Sequence, residues 1–91
     1  MLERSSEDAL RREAKRRRVW SIKAERLCRG FPDRMLLAHG GRIAFAELKR
    51  PGQGLRPAQH LVVKWLRHLG FLVVKLDHPD DVKEFFSEWL D

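Results

Sequence analysis

Hydrophobic positions along the chain follow two periods, the two-residue alternation of strands and the wider spacing of amphipathic helices. The first pattern, with short apolar runs, predicts four strands, at 19–24, 32–39, 42–49 and 71–76. The second predicts three helices, from Ser5 or Ser6 to about Arg18, from Pro57 to a stop at Gly70, and from His78-Pro79 onward. The order αβββαβα predicts an α/β fold, a small mixed sheet with helices on both faces, in a single domain over residues 1–91.

Several finer features can be predicted from the same pattern. Gly40-Gly41 favours a two-residue hairpin turn that brings strand 42–49 back antiparallel beside strand 32–39. In the first helix, Glu7 lies on the same stripe as two apolar residues, so its carboxylate is aimed at whatever the helix covers. In the second helix, an apolar stripe predicts a buried face that includes Trp65; its members are Leu61, Val62, Trp65, Leu66 and Leu69.

Composition narrows the class of protein. A single cysteine, Cys28, excludes an internal disulfide and cannot alone form a cysteine-type zinc site. The sequence has no apolar run of the roughly 18 residues that a membrane helix needs. Its first residues are charged where a signal peptide would be apolar. An intracellular, cytoplasmic protein is expected, in the host cytoplasm if the source is viral.

Charge is unevenly distributed in this chain, whose net charge is +6. Residues 1–34 contain eleven Lys and Arg against six Asp and Glu, whereas residues 77–91 contain one Lys against six acids. This asymmetry is typical of a molecule that turns one face to a polyanion such as DNA. A charged helix surface that is merely solvated would give the same pattern. Candidate phosphate contacts are Lys23, Arg16, Arg17, Arg18, Arg29 and Arg34.

Charged residues end the third predicted strand, in "RIAFAELKRPG" (42–52). Glu47 and Lys49 are two residues apart and therefore project from the same face. A buried carboxylate or ammonium is costly without compensation, so either the two form a structural ion pair or another group joins them. The hairpin brings Asp33 close to Glu47, which places two acids and a lysine at one edge of the sheet.

Two converging carboxylates suit Mg²⁺ or Mn²⁺, which takes one or two carboxylates and completes its shell with water and phosphate oxygens. Without a cation, the charges of Asp33 and Glu47 repel each other. Lys49 can hold the attacking hydroxide or a developing oxyanion. The pattern therefore predicts metal-dependent chemistry on a phosphate.

The motif "GFPDR", followed fourteen residues after its Asp by "ELK", resembles the PD-(D/E)XK nuclease signature. More narrowly, "GFPDR…GGRIAFAELKRPGQGLRPAQ" resembles the VRR-NUC (virus-type replication-repair nuclease) family, with Pro51-Gly52 and Gln59 downstream of the E-x-K. This resemblance covers the chain from Glu7 to about Leu76. It implies a restriction-endonuclease-like core and a compact, stand-alone nuclease domain.

The resemblance also implies roles for individual residues. Asp33, Glu47 and the backbone carbonyl of Leu48 would bind the metal, and Lys49 would serve catalysis. Gln59 and Glu7 match further site residues of the family. Lys23 stands where family members often have a lysine, and we expect it to contact substrate phosphate. The segment before the motif is more charged than is usual for the family.

A metal-dependent DNA endonuclease is the function that these features favour, acting as a homodimer on branched DNA in the manner of Holliday-junction resolvases. A flap or nonspecific nuclease has the same chemistry and stays open. A non-catalytic DNA-binding module that retains the fold is the alternative from another class. The carboxylates disfavour the binder, since acids facing phosphate do not help a protein that only binds.

Overall fold

The computed structural model describes residues 3–50 and 52–91 and confirms the predicted element order. Pro51, part of the motif after the third strand, lies outside the described residues. No described helix is long and apolar enough to cross a membrane. The elements are α1 (Glu3–Arg16), β1 (Trp20–Lys23), β2 (Arg34–Ala38), β3 (Arg42–Leu48), α2 (Pro57–His68), β4 (Leu72–Leu76) and α3 (Pro79–Leu90).

The four strands form one mixed sheet in the order β1-β2-β3-β4. The first two pairs are antiparallel, and β4 lies parallel to β3 because α2 provides the crossover between them. Alternate side chains of β3 enter two separate cores. Ala44 and Ala46 pack with α1 and α3 on one face, whereas Phe45 packs with Val63 and Leu66 of α2 on the other. The sheet is therefore covered by helices on both faces, as predicted.

The hairpin between β2 and β3 differs from the prediction by one residue. Ala38 pairs with Arg42, so residues 39–41 form a three-residue loop instead of a two-residue turn. Gly40 and Gly41 have φ angles of 82° and 74°, in the left-handed region that favours glycine. Both glycines are therefore suited to a tight turn, and the loop holds one residue more than predicted.

This extra residue sets the register of the candidate site. Arg34 pairs with Ala46, so one step further along the hairpin Asp33 lies opposite Glu47. A two-residue turn would have placed Arg34 opposite Glu47 and turned Asp33 to the other face. The observed loop length is what brings the two acids together.

Helix α2 buries a different stripe from the one predicted. Gln59, Val63 and Leu66 are its buried residues, whereas Trp65 is 61% exposed. The expectation that Trp65 packs in the core is therefore wrong. The physical reason is a hydrogen bond from the Gln59 side-chain amide to Glu47. This contact turns the row that begins at Gln59, with Val63 and Leu66 at i+4 and i+7, toward the sheet.

Helix α1 begins earlier than predicted, at Glu3, so neither Ser5 nor Ser6 caps it. Ser6 is instead buried one turn before Leu10, and its hydroxyl has no partner within the described residues. The helix ends with Arg18 in the left-handed conformation, at a φ of 59°. Its end is closed because the Val19 amide donates to the Ala14 carbonyl, as in a Schellman motif.

A buried carboxylate ties α1 to the end of the chain. Glu13 accepts hydrogen bonds from Arg16 and Arg17. Arg17 also donates to Asp91 at 2.8 Å and to Ser87 at 3.2 Å. The Arg16 hydrogen bond, with a smaller contribution from Arg17, lowers the pKa of Glu13 from 4.5 to about 2, although burial opposes the shift. The ionised form of Glu13 therefore stabilises the packing of α1 on α3.

Replacing Glu13 tests this stabilisation. Since folding lowers the pKa of Glu13, its contribution is complete above pH 4.5 and is lost as the pH falls toward 2. We expect Glu13→Gln to reduce the free energy of unfolding at pH 7 by about 1 to 3 kcal/mol, and the difference to vanish near pH 2. Urea titrations across this pH range measure the effect. Asp8→Asn, at a half-exposed helical pair, is the control and should change stability by less than about 0.5 kcal/mol.

Candidate metal centre

Asp33 and Glu47 hold each other in place through backbone amides. The Asp33 amide donates to Glu47 Oε1 at 3.0 Å, and the Leu48 amide donates to Asp33 Oδ2 at 2.9 Å. Each acid thus bonds to the backbone of the neighbouring strand. The two carboxylates lie side by side at the edge of the β2–β3 hairpin, as the sequence predicted.

Lys49 and Gln59 complete a buried network around Glu47. Lys49 Nζ lies 3.1 Å from Glu47 Oε2 and donates to Gln59 Oε1 at 2.9 Å. Gln59 donates its amide to the same Glu47 oxygen and accepts from the Arg56 backbone at 2.9 Å. Both ends of the Gln59 amide are therefore engaged, which fixes its orientation.

The Leu48 carbonyl lies on the same side as the acids. In a strand, the N–H and C=O of one residue point in the same direction. Because the Leu48 amide donates to Asp33, its carbonyl faces the Asp33 side as well. No described residue forms a hydrogen bond to the other Asp33 oxygen, Oδ1. Asp33 Oδ1 and the Leu48 carbonyl oxygen are therefore both available to a ligand.

Burial and like charge make the acidic pair electrostatically unfavourable. Glu47 is 2% exposed. Its burial, followed by the charge of Asp33, raises the pKa of Glu47 above the ordinary value. Burial also raises the pKa of Asp33, although the Leu48 amide partly offsets the shift. Lys49 supplies one positive charge against two carboxylates, so the cluster has a net negative charge when both acids are ionised.

The donor set fits a small, hard cation. Among residues 3–50 and 52–91, no three His, Cys, Asp or Glu side chains form a group that could hold a metal. A cation here would take two carboxylates and a carbonyl, and its other ligands would be water or substrate oxygens. Mg²⁺ and Mn²⁺ are bound in this way, whereas a structural zinc site needs four protein ligands.

Two cavities open at this edge of the sheet, and both include Asp33 and Leu48. One, of about 350 Å³, lies on the α2 side. The other, of about 170 Å³, lies on the α1 side and contains Glu7 and Lys23. Asp33 therefore lines both cavities, whereas Glu47 lines only the larger one. Besides the two shared residues, the larger cavity is lined by Glu47, Lys49, Arg50, Gln53, Arg56 and Gln59.

Close packing fixes the start of α2 against the loop that precedes Asp33. Gly30 has a φ of 86°, and a Cβ on it would lie 2.5 Å from the Ala58 carbonyl oxygen. Only glycine fits this approach. The contact holds the segment that carries Asp33 against the helix turn that carries Gln59, so both reach Glu47 from fixed positions.

Other predicted site residues occupy the α1 side. Glu7 lies next to the cluster, but it forms an ion pair of 2.9 Å with Arg34. Arg34 is buried and points to the opposite face of the sheet from Glu47, because the two positions differ by one step in register. Lys23 is exposed and lines the same cavity as Asp33, where the sequence placed a phosphate contact.

The basic residues at the end of α1 lie apart from the cavity residues. Arg16 and Arg17 are bound to Glu13, and Arg17 also to Asp91, so their charges are already paired. Arg18 is exposed after the helix end, and Arg29 is exposed in the loop after β1. The structure does not bring Arg16, Arg17, Arg18 or Arg29 into either cavity at the acids.

Two arginines that the sequence analysis missed line the larger cavity. Arg50 and Arg56 are exposed, and neither has an acidic partner in the described part of the chain. Arg56 also occupies the N-cap position of α2, where the helix dipole adds positive potential. The sequence did contain a signal for both residues. Arg50 directly follows the E-x-K, and Arg56 directly precedes the helix that carries Gln59.

No protein-family model matches this chain, and no curated protein sequence matches it. The resemblance to VRR-NUC nucleases therefore depends on the motif residues themselves.

Removing one of the two like charges should stabilise the protein in the absence of metal. Folding raises the pKa of Asp33, so ionised Asp33 destabilises the folded state at neutral pH, and this cost fades as the carboxyl becomes protonated. We expect Asp33→Asn to increase the free energy of unfolding in EDTA at pH 7 by about 0.5 to 1 kcal/mol, and the gain to disappear near pH 4. Thermal unfolding of both proteins at each pH measures it.

Added Mn²⁺ separates the metal contribution from the charge effect. Wild type should gain melting temperature with Mn²⁺, whereas Asp33→Asn should gain much less, because it has lost one ionic ligand. Equal gains for both proteins would contradict a metal site at Asp33.

Proposed function

We propose that this protein is a Mg²⁺- or Mn²⁺-dependent DNA endonuclease that hydrolyses phosphodiester bonds. The supporting observation is the buried cluster in which Asp33 and Glu47, held by each other's strands, share a cavity with Lys49 and Gln59. An acidic pair with one lysine is a costly arrangement for a fold to keep. A bound cation and a substrate phosphate would balance the charges of this cluster and offset its cost.

The chain's own residues would divide the work of hydrolysis. Asp33, Glu47 and the Leu48 carbonyl hold the cation. When bound, the cation neutralises charge on the phosphate and lowers the pKa of a water molecule. Gln59 keeps Glu47 and Lys49 in one orientation, since it bonds to both.

Lys49 is positioned to act on the substrate. Its ammonium has three N–H donors, of which Gln59 and Glu47 occupy two. The third can donate to the attacking water or to a phosphate oxygen in the cavity. Because Lys49 is 5% exposed, this hydrogen bond is shielded from bulk water and is correspondingly strong.

DNA would cross the edge of the sheet at the α2 N-terminus. Arg50 and Arg56 supply unpaired charge on one side of the acids and Lys23 supplies it on the other. This arrangement differs from binding along α1, where Arg16 and Arg17 are neutralised by acids of the same chain. The phosphate backbone would therefore follow the line from Arg56 through the metal site to Lys23.

We propose that the protein acts as a homodimer and that its substrate is branched DNA. Each chain has one cluster, and paired cuts in a junction need two. A flap or nonspecific nuclease uses the same cluster, so substrate preference must be measured.

Cleavage assays test the chemistry. We expect wild type to cut labelled DNA with Mg²⁺ or Mn²⁺, and Asp33→Ala, Glu47→Ala and Lys49→Ala each to reduce the rate at least about 100-fold. A panel of linear duplex, single strand, flap and four-way junction identifies the preferred structure. Asp8→Ala, at a half-exposed acid on α1, is the matched control and should cut at the wild-type rate.

Binding measured with Ca²⁺ separates an enzyme from a binder. The two acid variants should still bind DNA within a few-fold of wild type, because the arginines remain. Binding without cleavage by wild type under every metal would contradict the proposal, and equal cutting of all four substrates would remove junction preference only.

The DNA path has its own test. We expect Arg56→Ala to weaken DNA binding in Ca²⁺ and to reduce the slope of log K against log salt by about 0.9, the value for one lost phosphate contact. Arg16→Ala should leave this slope unchanged, because Glu13 already holds the Arg16 guanidinium. Fluorescence anisotropy over a salt series measures both. The opposite result would place the DNA along α1.

A further inference from the structure

Several large apolar side chains remain exposed to solvent. Trp20, Trp65, Leu61 and Leu69 are 68%, 61%, 67% and 65% exposed. Isolated exposed apolar residues are ordinary, but a contiguous group of this kind marks an interaction surface. Whether these residues are contiguous depends on the faces from which they project.

Part of this surface is the sheet itself. Trp20 pairs with Leu37, and Leu37 pairs with Ile43, so all three project from one face. Ile43 is two residues before Phe45, which packs against α2, so this is the α2 face of the sheet. Helix α2 packs on β4, at the other side of the sheet from β1. Trp20, Leu37 and Ile43 therefore form an uncovered floor.

The neighbouring flank of α2 forms a wall beside this floor. Ala58, Val62, Trp65 and Leu69 follow the spacing i, i+4, i+7 and i+11 and lie along one row. Val62 belongs to the same hydrophobic cluster as Phe31 and Met35, whereas Arg67 on the other flank of α2 bonds to Val73 of β4, so the row faces the β1–β2 half of the sheet. Floor and wall together form an apolar corner, defined by Trp20, Leu37, Ile43, Trp65 and Leu69, and Leu61 extends it beside Trp65 on the outer side of α2.

The centre of the corner, where floor and wall meet, lacks the charges that a nucleic acid would need. The cations of the second half of α2, Lys64 and Arg67, lie off the apolar row, and Arg67 donates to the Val73 carbonyl of β4. Lys64 and His68 lie at its outer rim, where they line a cavity with Leu61 and Trp65, whereas no charged residue belongs to the floor. A second copy can therefore approach this surface without like charges meeting at its centre.

The exposed area matches what a dimer requires. At these exposures, the corner with Leu61 and the adjoining Phe71 presents about 700 Å² of surface, and a standard interface buries about 800 Å² per partner. Two tryptophans contribute nearly half of it, and tryptophan is the residue most enriched at interface hot spots. A contiguous patch of this size is larger than the largest exposed apolar patch of a typical monomeric protein.

We propose that the apolar corner is the interface of a twofold homodimer, in which the α2 wall of each copy packs on the sheet floor of its partner. Because every copy has both a wall and a floor, the contact is reciprocal and closes as a dimer. The proposal deepens the proposed function, since it identifies the surface that would pair two metal centres, but it does not depend on cleavage. The corner shares no residue with either cavity at the acids.

Solution mass tests the interface. We expect wild type to have the mass of two chains in light scattering between about 1 and 100 µM, and Trp65→Glu to have the mass of one chain. Trp65 is exposed, so the variant should keep the wild-type far-ultraviolet circular dichroism. Leu72→Glu introduces the same charge at an exposed leucine on the opposite sheet face, and this control should remain a dimer.

Three outcomes would overturn the proposal. Wild type could have the mass of one chain throughout, or Trp65→Glu could stay a dimer, which would place the contact elsewhere. Alternatively, a monomeric wild type could show tryptophan quenching by single-stranded DNA that is lost in Trp65→Glu, which would make the corner a base-stacking surface. Asp33→Ala should remain dimeric, so failure of the nuclease proposal and failure of the interface are distinguishable.

Discussion

The register between β2 and β3 determines much of this molecule. It places Asp33 opposite Glu47, and each carboxylate then accepts an amide hydrogen bond from the other strand. Glu47 in turn engages Gln59, which sets the rotation of α2 about its own axis. That rotation buries Val63 and leaves Trp65 in solvent. One pairing choice in a hairpin thus decides both the geometry of the acids and the character of a distant surface.

Two buried glutamates show how environment separates their roles. Glu13 faces two guanidiniums, which lower its pKa, and it ties the first helix to the last. Glu47 lies beside another acid in a buried position, which raises its pKa. The first arrangement stabilises the folded chain as it stands. The second reduces stability until something positive joins it, which is typical of sites that bind or react.

Periodicity was sufficient to predict the element order, because each helix and strand has a regular apolar face. The motif identified Asp33 and Glu47, because the PD and E-x-K residues and their separation are visible in the sequence. The loop length at residues 39–41 and the rotation of α2 could not be predicted, because both depend on contacts between elements. Arg56 was missed for a related reason. The sequence favoured the long basic run of α1 as the phosphate-binding site over a single arginine such as Arg56. The ion pair between Arg17 of that run and Asp91 joins residues far apart in sequence and could not be predicted.

The loop at residues 39–41 constrains how related sequences can differ. A Cβ at Gly40 or Gly41 would meet no atom within 4 Å, so the limit on side chains there is the positive φ alone, which asparagine tolerates. Length is another matter. A single-codon insertion or deletion would slide one strand past the other and send the two acids to opposite faces. During divergence, residues 40 and 41 can therefore change to others that tolerate a positive φ, but the number of residues in the loop must stay the same.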